Sequence, residues 1–256
     1  NFDNSILDGV DLSGKDLSYS DFRHTSFKNT NLQNTNLSAA ELSEVDLTKI
    51  KNKSLAGANL RATAMVYSNL SGINLDGSIL SFLNWSHSNL SEIDFTVISN
   101  KFIDSSSFIG SNLSNTNFEG VIFYDKDEQG QIKNYSLIIT DGAYLANKSL
   151  SELSAELHKA HYFGTWVIEK KVDGNDLLLN TIHFNDFSFA NLTKSSFLGS
   201  YLGFTNFSHA DLSWSNLSRT HIEGVNLEGA NLEGANLVNS NLDEINSKCI
   251  NHLICD

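Results

Sequence analysis

His158 and His161 stand three residues apart on a segment that reads as helical, with Glu156 close by. Imidazoles at i, i+3 share a helix face and supply two ligands of a zinc site, but no third ligand follows from the sequence. They are read as exposed helix histidines. The other histidines (His24, His87, His183, His209, His221 and His252) show no common spacing. Cys249 and Cys255 fall in the last eight residues, in what reads as a terminal cap. Two cysteines are too few for a disulfide framework. A nucleophilic cysteine also needs a base and an oxyanion site held around it, and a chain end is a poor place for either. The sequence has no glycine-rich phosphate loop, no HExxH and no GxSxG. No catalytic, metal or cofactor group is therefore assigned.

The composition narrows the class further. Of 256 residues, 18% are charged, yet 30 acids against 17 bases give a formal net charge of -13, and there is no proline. No basic tract offers cations to a phosphate backbone, and no apolar run reaches the length of a membrane helix. The charge is spread as -5 over 1–123, -3 over 124–181 and -5 over 182–256. The chain starts at Asn1 rather than Met, which reads as a processed product or a piece of something longer.

What would position any functional group is a five-residue repeat. Apolar residues recur by fives from Phe2 to Leu47, from Leu55 to Phe95, from Ile103 to Phe123 and from Ile182 to Leu242, 37 positions in all. A small residue often lies two before the centre (Ala40, Ala58, Ser88, Ala190, Ala230), and Asn or Asp lies just before it (Asp11, Asn31, Asn89, Asn231). Gly often closes the unit, as at Gly224, Gly229 and Gly234. A period of five fits neither an amphipathic helix nor an alternating strand. It requires a short extended segment, a tight turn and the next segment, and Asn, Asp, Ser and Gly tolerate such turns. Absence of proline fits a coil-to-coil ladder that uses nearly every N–H.

The units Ala190-Asn191-Leu192, Ala210-Asp211-Leu212, Ala230-Asn231-Leu232 and Ala235-Asn236-Leu237 resemble the pentapeptide-repeat family, whose unit is A-(D/N)-L-x-x. The resemblance covers about 195 of the 256 residues. It implies an all-β fold, a right-handed, four-sided parallel β-helix, to which the residues of 124–181 add a small α+β insertion. At four units to a coil the 37 units imply about nine coils, and about 4.8 Å between coils makes a rod of about 45 Å. Asn206 with Asn226, and Asn216 with Asn236, should stack into side-chain ladders.

The repeat breaks in two ways. Eight-residue steps replace five-residue ones at Leu47 to Leu55 and at Phe95 to Ile103, and a similar step leads from Leu242 to Ile250. These read as three-residue corner loops bearing Lys53, Lys101 and Lys248. The larger break divides the chain into a first array (1–123), an insertion (124–181), a second array (182–242) and a C-terminal cap (243–256). Within the insertion, Ser149 and Glu152 have capping-box spacing, Leu150, Leu153, Leu157 and Ala160 share a face of a helix over about 150–161, and hairpins flank it, one turning at 173–176. Irregular segments on a rigid scaffold are where binding residues concentrate. The candidate partner-binding residues are therefore Asp125, Glu128, His158, His161, Trp166, Lys170 and Lys171 in the insertion, with Lys53 and Lys101 at the corners.

Function is expected to be non-catalytic: a β-helical scaffold that binds another protein, as a monomer or an end-to-end dimer, with no cofactor, no direct nucleic-acid binding and no membrane. By resemblance the chain is the partner-recruiting amino-terminal β-helix of a HECT-like bacterial effector ubiquitin ligase, injected into host cells. The alternative is a cytoplasmic DNA mimic of the kind that protects gyrase from quinolones. That role needs acids in columns about twenty apart, and only isolated pairs such as Asp21 with Glu41 and Glu223 with Asp243 line up.

Overall fold

The computed structural model describes residues 1–104, 106–123, 171–172, 175–176, 185–203, 205–222, 224–242 and 248–255. Each five-residue unit uses its backbone in the same three ways. The centre N–H donates to the carbonyl before the centre of the next coil, as from Phe22 to Glu41 at 2.8 Å, and Glu41 N–H donates back to the Ser20 carbonyl at 2.9 Å. A turn then closes the unit, as from Ala40 N–H to the Leu37 carbonyl at 3.0 Å. Its third residue has positive φ (57° at Ala39), the type II signature. Four such corners bring the chain round to stack on itself.

Bridges between coils define four faces. Face 1 runs from Asp46 through Asn69, Asn89, Asn112, Asn191, Asp211 and Asn231 to Ile250. Face 2 carries Asp11 with Asn31, Ser54 with Asn74, and the run Asp94, Asn117, Ser196, Asn216, Asn236. Face 3 links Asp16, Asn36, Asn59 and Ile79, then Phe102, Ile122, Tyr201, His221 and Asn241. Its two runs are joined by the short parallel pairing of Leu80–Ser81 with Ile103–Asp104. Face 4 links Asp21, Glu41, Ala64, Asn84, Ser107, Asp186, Asn206 and Asn226.

The repeat centres point inward. Every described centre from Phe22 to Leu232 is at most 2% exposed, and the small residues two positions earlier are buried beside them. Like centres stack from coil to coil, Phe95 on Phe118 with ring centroids 4.3 Å apart and Phe108 on Phe187 at 4.5 Å. The first coil has core on one side only, so Phe2, Leu7, Leu12 and Leu17 are partly buried. Among the described residues no helix is long and apolar enough to cross a membrane.

The insertion leaves the ladder intact. Ser107 bridges Asp186, Asn112 bridges Asn191, Asn117 bridges Ser196 and Ile122 bridges Tyr201, so the coils before and after the insertion are direct neighbours. The chain departs after Phe123 and is back in the rod at Asn185, which is fully buried. Asn185 takes the corner that a small residue fills elsewhere and uses its amide to close the junction. Its Oδ1 accepts from Ser106 N–H at 3.0 Å, and its Nδ2 donates to the Phe123 carbonyl at 2.9 Å. Inside the insertion the described residues form one antiparallel pairing, Lys171 with Asp176 and Val172 with Asn175. Asn175 and Asp176, read in the sequence as turn residues, are therefore ladder partners. The expected helix over about 150–161 lies outside the described residues.

The C-terminal cap departs from the sequence reading in two respects. Ile250 is not an inward centre: it bridges Asn231 on face 1 and is 50% exposed, while its neighbour Cys249 turns inward at 5%. The step from Asn231 to Ile250 is one residue short of a regular coil, which shifts the inward position back by one. The two cysteines, too few for a framework, are bonded to each other as Cys249–Cys255. Ile254 and Cys255 pack against the core.

Leu232→Asp puts an unpaired carboxylate into this closed core, a loss of about 4 kcal/mol or more. The melting temperature should fall by about 10 °C, and an unchanged melt would refute the register. Asn185→Ala removes both junction hydrogen bonds and should cost about 1–3 kcal/mol, read in the same melting experiment.

Candidate functional site

The two internal eight-residue steps are built alike. Asp46 and Asp94 accept from the N–H of Thr48 and Thr96 at 3.0 and 2.9 Å. This starts paired 3-10 turns at Leu47–Lys49 and Lys51–Lys53, and at Phe95–Val97 and Ser99–Lys101. Ile50 and Ile98 plug the corners from outside the repeat register and are buried, and Asn52 and Asn100 supply the positive φ of 56°. Lys53 and Lys101 are left exposed at the ends of the loops.

These lysines do not form one row. Lys53 precedes Ser54 at the start of face 2, and Lys101 precedes Phe102 at the start of face 3, so they stand on opposite edges of face 2. Beside Lys101 is a shallow hollow of about 440 Å³, with Gly120 and Gly199 as a side-chain-free floor and Lys101, Glu119 and Arg219 around it. Two cations and one carboxylate on an open surface suit an acidic side chain of a partner.

The histidines have an order that the sequence hides. With the longer steps allowed for, His24, His87 and His209 all occupy the turn position that follows face 4, each with positive φ. His87 stacks on Tyr67 and His209 on Phe189, both with ring centroids 5.0 Å apart. Tyr67 and Phe189 remain 64% and 63% exposed, giving this edge an aromatic ridge. His24 differs: its Nδ1 lies 3.1 Å from Asp3 of the coil before, and its Nε2 lies 3.5 Å from Glu44 of the coil after. The hydrogen bond with Asp3 raises its pKa above the ordinary histidine value, with Asp3 and Glu44 charges adding to it and desolvation and Arg23 opposing. Next to it, hydrogen bonds from Arg23 hold the Asp21 carboxyl down at about 2.

The sequence model of the family described as Pentapeptide repeats matches eight copies, over residues 1–34, 16–51, 54–96, 186–224 and 220–246. The chain belongs to the pentapeptide-repeat family. Among solved structures it is similar to HetL of the cyanobacterium Nostoc sp. strain PCC 7120, a pentapeptide-repeat protein involved in heterocyst differentiation regulation. That likeness has 20% identity over 98% of this chain and 88% of HetL, with a TM-score of 0.47. A trypsin-treated point variant of QnrB1, a plasmid-mediated fluoroquinolone resistance protein, matches at 12% identity over 96% of this chain and 83% of the QnrB1 chain, with a TM-score of 0.35. Rfr23 of the cyanobacterium Cyanothece 51142 matches at 16% over 78% and 91%, with a TM-score of 0.23. No curated protein matches. Identities this low carry no function across.

On this pentapeptide-repeat rod, the sequence candidates divide by what the structure describes. Lys53 and Lys101 are placed as above. Lys171 lies on the strand pair with Asp176, described in its backbone. Asp125, Glu128, His158, His161, Trp166 and Lys170 lie outside the described residues. Among the described residues no three metal-ligating side chains converge. The ridge was missed as a row because the separations of His24, His87 and His209 cross the eight-residue loops and the insertion, although the pairs Tyr67 with His87, Phe189 with His209 and His24 with Glu44 each stand a regular twenty apart.

His24 predicts a pH response. Because its folded pKa is raised, its contribution is full below the ordinary histidine pKa and is lost as pH rises through the folded value. Hydrogen exchange at Phe2 and Asn4, whose N–H groups bond to Asp21 and Arg23, should accelerate, beyond the intrinsic rate change, as pH rises above the ordinary histidine pKa and through the raised folded value. In His24→Ala that excess should vanish; an excess that persists would assign it to another group.

Proposed function

We propose that this chain is a non-catalytic β-helical scaffold that binds another protein, with contacts from the 124–181 insertion and the lysine-bearing corners. The observation that carries this reading is the unbroken ladder past the insertion: Ser107 bridges Asp186 and Ile122 bridges Tyr201 as any adjacent coils would. The coils on either side of the insertion bridge each other directly, and a long segment carried by a rigid frame is where partner contacts concentrate. The exposed corner cations Lys53 and Lys101 add charged groups at fixed positions.

In its more specific form, the rod recruits partners for a ubiquitin ligase whose catalytic domain lies elsewhere in the same protein. Ligase activity in the full-length gene product tests that form directly. The DNA-mimic alternative requires carboxylates in register from coil to coil. Asp21 and Glu41 do bridge, but face 1 between Asn69 and Asn191 carries amides at every step. An amide column does not imitate phosphate charge, which favours the protein scaffold.

Replacing 125–180 by a short linker should retain the β circular-dichroism signal and the melt while abolishing affinity capture of the partner. Capture that survives would move the contact to the rod. Inhibition of DNA gyrase supercoiling by the intact chain would favour the mimic instead.

A further inference from the structure

Face 3 differs from the other three at one position. Just before the centre, where the rod mostly carries Asn, Asp or Ser, face 3 carries Ile79, Phe102, Ile122, Tyr201 and His221 on five successive coils. The same column has Asn36 and Asn59 before this run and Asn241 after it. These side chains point out of the rod. Ile79 and Tyr201 are 46% and 42% exposed, and the Tyr201 ring stacks on His221 at 4.4 Å. A contiguous apolar row on an otherwise amide-rich surface marks a contact site.

We propose that this row is the dock for the rod's own inserted chain, the segment between Phe123 and Asn185. The row is centred on its point of departure. Ile122 is its middle member and adjoins Phe123, with two coils of apolar ladder before it and two after. A segment tethered there meets the row at an effective concentration of about millimolar or more, which an external partner must exceed. The segment also has apolar residues to offer, among them Leu150, Leu153 and Leu157 and the run Trp166-Val167-Ile168. Docking of this kind fixes which side of the rod presents the insertion. It rests on the apolar row of face 3 and on its place beside Phe123, not on the partner-binding reading.

The test restores the rod's own residue type. Ile79, Ile122 and Tyr201 are replaced together by Asn, which the same column already carries at Asn36 and Asn59, so the coils keep a side chain that suits the ladder. In the full chain, tryptic cleavage after Lys148, Lys159 and Lys170 should quicken about tenfold or more while the melt of the rod is unchanged, since cleavage follows the population of the released form. An unchanged cleavage rate overturns the proposal. An unchanged rate with a shift from dimer to monomer in sedimentation also overturns it, in favour of a second copy on face 3. Should the triple variant fail to fold, oxidative footprinting of the unaltered chain decides. Tyr201 labelled several-fold more slowly than Tyr19, which is 84% exposed, supports docking; equal labelling overturns it.

Discussion

Each coil is held to its neighbours by backbone hydrogen bonds that run both ways, from a centre N–H forward and from the preceding residue back. Register is therefore the constraint on which everything else depends. A change in chain length is tolerated only if it returns the next centre to the same place above the previous coil. The loops at Lys49–Lys53 and Val97–Lys101 meet that condition with buried plugs at Ile50 and Ile98. The insertion meets it through Asn185, whose amide ties the returning chain to Ser106 and Phe123 of the array before the insertion. A backbone carbonyl left unmet in this buried corner would cost as much as a lost hydrogen bond or more.

The preference for Asn and Asp before each centre has a directional cause. The side-chain Oδ1 accepts from the N–H two residues on and so holds the turn, as Asn206 does for Ser208 at 3.1 Å. Where the residue is Asn, its Nδ2 can also donate to the coil before, as from Asn226 to Asn206 at 3.1 Å and from Asn206 to Asp186 at 3.0 Å. Asp can accept in such a column but cannot donate, so it suits the base of a ladder. The first coil follows this rule, with Asp11, Asp16 and Asp21 opening faces 2, 3 and 4. Asn36 donates to Asp16 at 2.9 Å. Hydrogen bonds from Ser13 and from Ser18 lower the pKa of Asp11 and of Asp16. Part of the acidic character thus belongs to ladder chemistry.

The fold was legible because its period is short and its centres are apolar without exception. The Asn206–Asn226 and Asn216–Asn236 ladders could be read for the same reason, since regular steps of twenty separate them. What escaped as rows was whatever spans an irregular step, even where single pairs such as Tyr67 with His87 stand a regular twenty apart. His24, His87 and His209 share a corner, but their separations include the eight-residue loops and the insertion. The face 3 row is hidden in the same way, because Ile79 to Phe102 crosses a loop and Ile122 to Tyr201 crosses the insertion. The inward turn of Cys249 was masked by a closing coil one residue short. Residue types were visible throughout; neighbours across an irregular step were not, because they depend on the count of residues between them.

Bulky residues with positive φ show how strongly the coils constrain each other. Trp214, His87 and His209 have φ near 60°, a region that costs a non-glycine residue roughly 1–2 kcal/mol. In each case the ring leans over the turn of the following coil, and there the residue is Gly: Gly234 under Trp214, Gly110 under His87 and Gly229 under His209. A Cβ at Gly234 would lie 2.7 Å from the Trp214 ring, and one at Gly110 would lie 2.6 Å from His87. The glycine therefore does two things, adopting positive φ itself and clearing space for the ring of the coil before. An aromatic at the turn and a glycine one coil later are a single packing unit, so a substitution at either residue must be judged by its effect on both.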